Sequence, residues 1–296
     1  MSKLMLFLKG LAMGAANVIP GVSGGTVAFI TGIYERLINA LKNLDIEAVM
    51  LLLKGKLKAF ASKVDLGFLS VLFAGVFVSI FSLAKILEMA FLYHEVQTLA
   101  FFFGLIVASV FAVSRQISVA SIPVILSFIA GAGIATGIAF LPPAQSNDSF
   151  LYLMLCGVAA ISSMILPGLS GSYVLLLMGN YVLVLRAISS FELSVLVPIA
   201  LGCAIGLVVL SRVLSWLFKA YKDITIAVLA GFVAGSLLII WPWKTTVVEM
   251  LAGKEKAVGY IWNSPLVDAS FFMAVALSVA GFLLVYLMEK YATKAD

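Results

Sequence analysis

Near the start of the chain stands Asn17-Val18-Ile19-Pro20-Gly21-Val22-Ser23-Gly24-Gly25-Thr26, which places a proline and three glycines inside a long apolar segment. A second copy, Leu166-Pro167-Gly168-Leu169-Ser170-Gly171-Ser172, follows at an offset of 167 − 20 = 147 residues in a chain of 296. Proline removes a backbone donor, and freed backbone groups at membrane depth need protein or water around them. Each motif therefore predicts a break between two short helices.

The composition is that of a membrane protein with several spans. Hydrophobic residues make up 63% of the chain, charged residues make up 11%, and the mean hydropathy is +1.18. A soluble domain has roughly half apolar and a quarter charged residues. The net charge of +5 indicates membrane topology, so no nucleic-acid partner is expected. Cys156 and Cys203 lie in apolar segments, and we expect no disulfide framework, metal or other cofactor.

The predicted fold class is an all-α polytopic membrane protein with an inverted repeat, each half a re-entrant helix hairpin plus three transmembrane helices. The arms beside each Pro-Gly break are shorter than the ~20 residues of a spanning helix, which favours re-entrant hairpins. The first repeat covers residues 1–145, with a hairpin at 4–40, an amphipathic segment at 46–63 and spans at 66–92, 95–114 and 118–141. The second covers residues 146–296, with a hairpin at 150–190 and spans at 192–219, 223–241 and 267–288. An odd number of crossings per repeat inverts the second copy in the bilayer.

Residues beyond the hairpins also match, at an offset of 202 − 75 = 127. The matched pairs are Gly75/Gly202, Lys85/Arg212, Phe91/Phe218, Thr98/Thr225, Gly104/Gly231 and Ser109/Ser236. The offset falls by 147 − 127 = 20 because only the first half carries the 46–63 segment. Its mixture of leucines and lysines predicts a segment lying on an anionic membrane face.

The distribution of basic residues predicts the orientation. With a cytoplasmic N-terminus, thirteen lie inside: Lys3, Lys9, Arg36, Lys42, Lys54, Lys56, Lys58, Lys63, Arg115, Lys219, Lys222, Lys290 and Lys294. Four lie outside: Arg186, Lys244, Lys254 and Lys256. Cytoplasmic loops of membrane proteins are enriched in lysine and arginine, so both termini are expected in the cytoplasm.

The two breaks are the candidate binding site. Free amides at a helix start, with nearby hydroxyls, bind anions. Glycines that only let helices approach closely would explain one such motif equally well. Two motifs at matching places in an inverted repeat favour a transporter binding site. The candidate ligands are Asn17, Gly21, Ser23, Gly24, Gly25, Thr26, Ser170, Gly171 and Ser172.

Four charged residues are further candidates. Lys85 and Arg212 occupy equivalent positions near helix ends, where they could draw an anion into the site or simply extend to the membrane surface. Glu35 and Arg36 are candidates for coupling or gating, and an interfacial ion pair is the alternative. The chain has one histidine and no P-loop, Gly-x-Ser-x-Gly or His-x-x-x-His motif, so it is not expected to be an enzyme.

The first motif, extended through Gly32-Ile33-Tyr34-Glu35-Arg36-Leu37-Ile38, resembles a bacterial and archaeal membrane family now described as polyprenyl-phosphate transporters. The second motif, with Gly179-Asn180-Tyr181, resembles that family's second signature. The resemblance covers essentially the whole chain. It implies a flippase that recycles undecaprenyl phosphate, the carrier lipid of cell-wall and surface-glycan assembly, from the outer to the inner leaflet of the bacterial cytoplasmic membrane. The phosphate would be bound at the two hairpin tips.

The partners expected from this resemblance are the polyprenyl-phosphate lipid, membrane lipids, H⁺ or Na⁺ as a coupling ion, and a second copy of the chain in a homodimer. The chain departs from the family at Asn17 and Val182, where an acidic residue is common. A proton-coupling carboxylate is therefore in doubt at those positions, and Glu35 remains as the acid near the tips. The alternative function is a transporter or channel for small anions that uses the same tips.

Overall fold

The structure is a computed structural model that describes residues 2–18, 23–141, 143–251 and 254–292. The first half contains α1 (Lys3–Val18), α2 (Gly24–Ile30), α3 (Tyr34–Lys42), α4 (Ile46–Leu53), α5 (Leu57–Lys63), α6 (Leu66–Ser114) and α7 (Ile122–Ala139). The second half contains α8 (Phe150–Ile165), α9 (Gly171–Leu177), α10 (Tyr181–Ser190), α11 (Leu193–Ala220), α12 (Lys222–Ser236), β1 (Lys244–Leu251), β2 (Lys254–Trp262) and α13 (Ala269–Ala292).

Several of these helices can cross a membrane. Within the described residues, four segments are long and apolar enough: Met89–Ser114, Ile122–Ala139, Leu193–Ala220 and Ala269–Leu287. The number rises to six if two bent helix pairs, Leu57–Lys63 with Leu66–Ser79 and Gly171–Leu177 with Tyr181–Ile188, each form one span. The prediction of a mainly helical, multi-pass membrane protein is confirmed.

Helix α6 includes two of the predicted spans and is broken at His94, whose backbone has φ −143° and ψ 49°. The Thr98 hydroxyl donates to the Ala90 carbonyl at 3.1 Å, although eight residues of straight helix would separate them by about 12 Å. The chain therefore bends sharply here. Tyr221, which joins α11 to α12, has nearly the same backbone angles, φ −140° and ψ 56°. His94 and Tyr221 are related by the offset 221 − 94 = 127.

Each predicted hairpin consists of three helices instead of two arms. Gly32 and Gly179 adopt the left-handed conformation, with φ of 72° and 73°, and divide the second arm of each motif. The helices on either side of Gly179 are bent by 118°. We call α1–α3 the first triplet and α8–α10 the second triplet.

The polar connection near residues 244–263 contains a structure that was not predicted. β1 and β2 form a two-stranded antiparallel sheet that runs from Lys244 opposite Trp262 to Leu251 opposite Lys254. Helix α12 ends at Ser236 instead of residue 241, and the chain winds on through Ile240 in looser turns before Pro242. Proline at 242 removes the amide that a continuing helix would need.

Corresponding helices pack in corresponding ways. α1 packs on α6 where Gly10 meets Gly75, and α8 packs on α11 where Gly157 meets Gly202. A methyl group on Gly75 would lie 2.3 Å from the Phe7 carbonyl oxygen, so only glycine allows this approach. The remaining long helices pair across the halves, with α13 on α6 and α7 on α12.

Candidate functional site

The first break lies between the end of α1 at Val18 and the start of α2 at Gly24. Ser23 caps α2 in an extended conformation, and its hydroxyl oxygen accepts from the Gly25 amide at 3.1 Å. The Asn17 side-chain oxygen accepts from the Gly24 amide at 2.8 Å. Two amides at the start of α2 therefore point at oxygen atoms of the protein's own side chains.

The second break lies between α8 and α9, at residues 166–170. Ser170 has φ −112° and ψ 128°, close to the −112° and 140° of Ser23. Its hydroxyl, however, is hydrogen-bonded at 3.0 Å to the hydroxyl of Ser172, and no side chain caps α9. Gly168 has φ 84°, and an added methyl group would lie 2.5 Å from the Phe232 carbonyl oxygen. Ser23 and Ser170 therefore share a backbone conformation, but their hydroxyls have different hydrogen-bond partners.

The two breaks are in direct contact although 147 residues of sequence separate their prolines. The Gly168 amide donates to the Thr26 hydroxyl at 2.9 Å. The Ser23 hydroxyl donates to the Met164 carbonyl at 3.4 Å, and the Tyr34 hydroxyl donates to the Ile165 carbonyl at 3.0 Å. Residues from both halves thus form one polar cluster.

The candidate ligands differ in burial. Ser23 and Thr26 are buried, with 5% and 1% of their surface exposed. Asn17 and Ser172 are exposed and Ser170 is half-buried. The glycines Gly24, Gly25 and Gly171 are buried, and Gly21 lies outside the described residues.

Of the two predicted cations, Arg212 has a described side chain and Lys85 does not. Arg212 is exposed on α11. Hydrogen bonding to the Ala48 amide holds the pKa of the Asp45 carboxyl below its ordinary value, and the charges of Lys63 and Arg212 add to this effect. Arg212 therefore lies within electrostatic reach of Asp45 at the start of α4.

Arg36 and Glu35 begin α3 and have different surroundings. The Arg36 Nε donates to the Asp65 carboxylate at 2.7 Å, and its guanidinium lies 4.4 Å from the centre of the Phe68 ring. Arg36 thus ties α3 to the start of α6. Glu35 is exposed.

Sequence reasoning gave no role to two residues that shape this region. Tyr34 is buried between the halves, and Asn180 is completely buried beneath residues 143–147. Both lie in the quoted motifs, so their positions carried a signal, but their partners are distant in sequence. Among the described residues, no group of three or more His, Cys, Asp or Glu side chains could hold a metal ion.

Comparison with known proteins places the chain in a family. A family model described as undecaprenyl phosphate translocase-like matches residues 13–258. The chain belongs to this family. A protein of Vibrio cholerae named polyprenyl-phosphate transporter is 39% identical over 303 residues, covering 99% of this chain and 98% of the relative. A Staphylococcus aureus protein of the same name is 28% identical over 268 residues, covering 84% of this chain and 89% of the relative.

No solved structure matches this chain. The resemblance drawn from the two motifs is confirmed by the family match and by the full-length relative. The family is one of transporters and not of enzymes, which agrees with the absence of catalytic motifs from the sequence.

Proposed function

We propose that this protein moves polyprenyl phosphate from the outer to the inner leaflet of the bacterial cytoplasmic membrane and binds the phosphate where the two breaks meet. The names of two relatives and the description of the family support the substrate. The observation that carries the site is the contact between the breaks through Thr26 and Gly168. A site assembled from both halves can be reached from either side as the halves move, which alternating access requires.

We further propose that the halves form an inverted repeat with re-entrant triplets. This arrangement is supported by matching contacts between helices. A methyl group on Gly131 in α7 would meet the Val228 carbonyl of α12 at 2.3 Å, and one on Gly281 in α13 would meet the Phe101 carbonyl of α6 at 2.1 Å. Phe101 and Val228 are related by the same offset, 228 − 101 = 127, as the sequence pairs.

The proposed orientation has both termini in the cytoplasm, as the basic residues indicate. This orientation is supported by contacts between residues that it places on the same side of the membrane. Residues assigned to the inner side meet one another, as Arg36 meets Asp65 and Asp223 accepts from the Ser118 amide at 3.1 Å. Residues assigned to the outer side do the same, as Asn180 accepts from the Asn147 amide.

The candidate ligands divide into two roles in this proposal. Ser23 and Thr26 hold the breaks together, because their hydroxyls already bond to the other half. Asn17, Ser170 and Ser172 are more accessible and contact the phosphate. The Asn17 and Ser23 oxygens on the Gly24 and Gly25 amides take the place that phosphate oxygens occupy in the loaded state. Charge-assisted bonds from backbone amides to a phosphate are about twice as strong as neutral ones, so the phosphate can displace these caps.

The prenyl tail needs no polar ligand and stays in lipid. In this proposal Lys85 binds the headgroup on the outer side of the membrane and Arg212 binds it on the inner side. Glu35 is the carboxylic acid that couples transport to H⁺. The amide and hydroxyl donors at the breaks would also bind inorganic phosphate, because it presents the same acceptor oxygens as a phosphate monoester. A transporter of small anions is therefore the second candidate function.

The test is the double substitution Ser23→Ala with Ser170→Ala in cells lacking this protein and any redundant carrier. Outer-leaflet polyprenyl phosphate is measured with a headgroup-binding antibiotic. We expect wild type to clear the lipid and the double variant to leave it outside, at normal protein levels. Ser127→Ala with Ser190→Ala is the matched control, because these exposed hydroxyls bond only within their own helices.

Full clearance by the Ser23/Ser170 variant would overturn the site. Lipid distribution unchanged by loss of the protein, together with flux of soluble phosphate into liposomes, would favour the small-anion transporter. The two results separate a wrong site from a wrong substrate.

A further inference from the structure

Helices α4 and α5 carry a patch of exposed apolar side chains. Ile46 and Leu53 are about four-fifths exposed, at 79% and 80%, and Val49 and Leu57 are more than half exposed. Met50 and Leu52 extend the same patch. Contiguous apolar surfaces of this kind mark contacts with a membrane or another protein.

Lysines border this patch. Lys54 and Lys56 flank Gly55, whose φ of 68° makes the turn between the helices, and Lys58 follows in the first turn of α5. All three lysines are exposed. An apolar face edged by lysines is the pattern of segments that lie in the interface of an anionic membrane.

The geometry sets this patch along the membrane surface. α5 is bent by 69° from the part of α6 that follows it, Leu66–Ser79. If that part of α6 lies along the membrane normal, α5 runs at about 21° to the membrane plane, since 90 − 69 = 21. The lysines and the apolar side chains are then at the depth of the lipid headgroups and upper acyl chains.

The patch is held rigidly to the rest of the protein. Lys63 forms ion pairs with Asp45 at 3.0 Å and with Glu47, and the Asn43 side chain donates to the Lys63 carbonyl at 2.8 Å. Ala48 and Val64 are buried beneath it, at 2% and 1% exposure. This attachment presents a preformed surface, so no ordering is needed when lipid binds.

We propose that α4–α5 is a binding surface for anionic phospholipid headgroups, distinct from the two breaks. Its lysines attract the headgroup phosphates while its apolar side chains enter the upper acyl region. Each basic residue near an anionic surface adds roughly fivefold to the affinity at low salt. Because the segment is present only in the first half, this preference is confined to one side of the membrane.

The experiment uses the full chain with Leu53→Trp as a reporter, reconstituted in vesicles of phosphatidylcholine and phosphatidylglycerol. Either lipid is supplied with brominated acyl chains, and the quenching of the added tryptophan is obtained by subtracting the parent protein, whose Trp216, Trp241, Trp243 and Trp262 remain. We expect the brominated phosphatidylglycerol to quench at least about threefold more strongly than the brominated phosphatidylcholine at equal mole fraction.

The same reporter is then measured with Lys54→Gln, Lys56→Gln and Lys58→Gln together, and the preference should fall to nearly one. Lys3→Gln, Lys219→Gln and Lys222→Gln together are the matched control, because they remove the same charge from exposed positions elsewhere. This control should keep the preference. Equal quenching by both lipids, a water-exposed tryptophan that neither quenches, or an equal loss in the control would each overturn the proposal.

Discussion

Ile33 and Asn180 occupy corresponding positions in the two triplets, 180 − 33 = 147 residues apart, but they fix their surroundings by different means. Ile33 is buried among apolar residues, and the turn before it at Gly32 is exposed. Asn180 is buried beneath the loop before α8, where it accepts from Ser146 and Asn147 and donates to the Asn147 carbonyl. The second triplet is therefore strapped at its turn by the loop before α8, whereas at the corresponding turn of the first triplet the Lys9 Nζ of α1 donates to the Thr31 carbonyl at 2.6 Å.

The first triplet is also attached to the other half of the chain. Its last helix, α3, packs against α11 of the other half, where the Ser215 hydroxyl donates to the Asn39 side chain at 2.9 Å and Lys42 donates to Ser215 at 3.3 Å. α10, the corresponding helix of the second triplet, packs on α9 and α11 of its own half. The serines before α2 and α9 thus share a backbone conformation, while different side chains at Asn39 and Asn180 decide what each triplet is attached to.

The largest expected effect distinguishes Gly24 from Gly171, which correspond across the repeat. A methyl group on Gly171 would lie 2.7 Å from the Ala160 carbonyl, which the helix backbone holds in place. On Gly24 the nearest atoms, from 2.8 Å, belong to the Asn17 side chain, which can rotate away. Gly171→Ala should lower the free energy of unfolding by about 3 kcal/mol, and Gly24→Ala by less.

Thermal unfolding of the purified protein measures this difference. Gly133→Ala serves as the control, because its surroundings on α7 are open and alanine favours a helix. If Gly24→Ala lowers the free energy of unfolding as much as Gly171→Ala does, the first break is as tightly constrained as the second.

An intermediate effect is expected at the strap. Asn180→Ala leaves the Ser146 hydroxyl and the backbone of Asn147 without their partner, which should cost about 2 kcal/mol. Protease cleavage and hydrogen exchange within residues 143–149 should rise at the same time. Ile33→Val, which removes one methylene from the matching site, should leave that loop unchanged. Protection of the loop in Asn180→Ala would show that the strap is held by other contacts.

The smallest effect concerns the contact between α3 and α11. A double-mutant cycle of Asn39→Ala and Ser215→Ala should give a coupling energy of about 1 kcal/mol, because one hydrogen bond joins the two side chains. Ser211→Ala paired with Asn39→Ala is the control, since the Ser211 hydroxyl bonds to Val208 in its own helix. A coupling energy of zero between Asn39 and Ser215 would show that their hydrogen bond does not stabilise the contact between α3 and α11.

The sequence predicted the long apolar helices and both breaks, because hydropathy and Pro-Gly pairs act locally. The prediction that each motif breaks a helix needed only Pro20 and Pro167 with their neighbours. The division of the second arm of each motif at Gly32 and Gly179 was also predictable, because these glycines are related by the same offset of 179 − 32 = 147 residues as the motifs. The strands were also foreseeable in part, because Thr245, Thr246, Val247 and Val248 are β-branched.

The partners of individual polar side chains could not be predicted. Arg36 was a candidate for coupling, gating or an ion pair, and its partner Asp65 lies 29 residues away at the start of another helix. Thr26 was predicted as a ligand, but its contact with Gly168 depends on how the two halves meet. Such contacts are set by packing over the whole chain, which spacing in the sequence does not encode.

The exchange of helices between the halves has a consequence for biosynthesis. α13 packs on α6, which is synthesised more than 150 residues before it, since 269 − 114 = 155. Until α13 is in place, Gly104 of α6 lacks the Ser278 backbone of α13 against which it packs. Neither half can complete its own packing alone, so a nascent chain that stops before α13 holds an unfinished core in both halves.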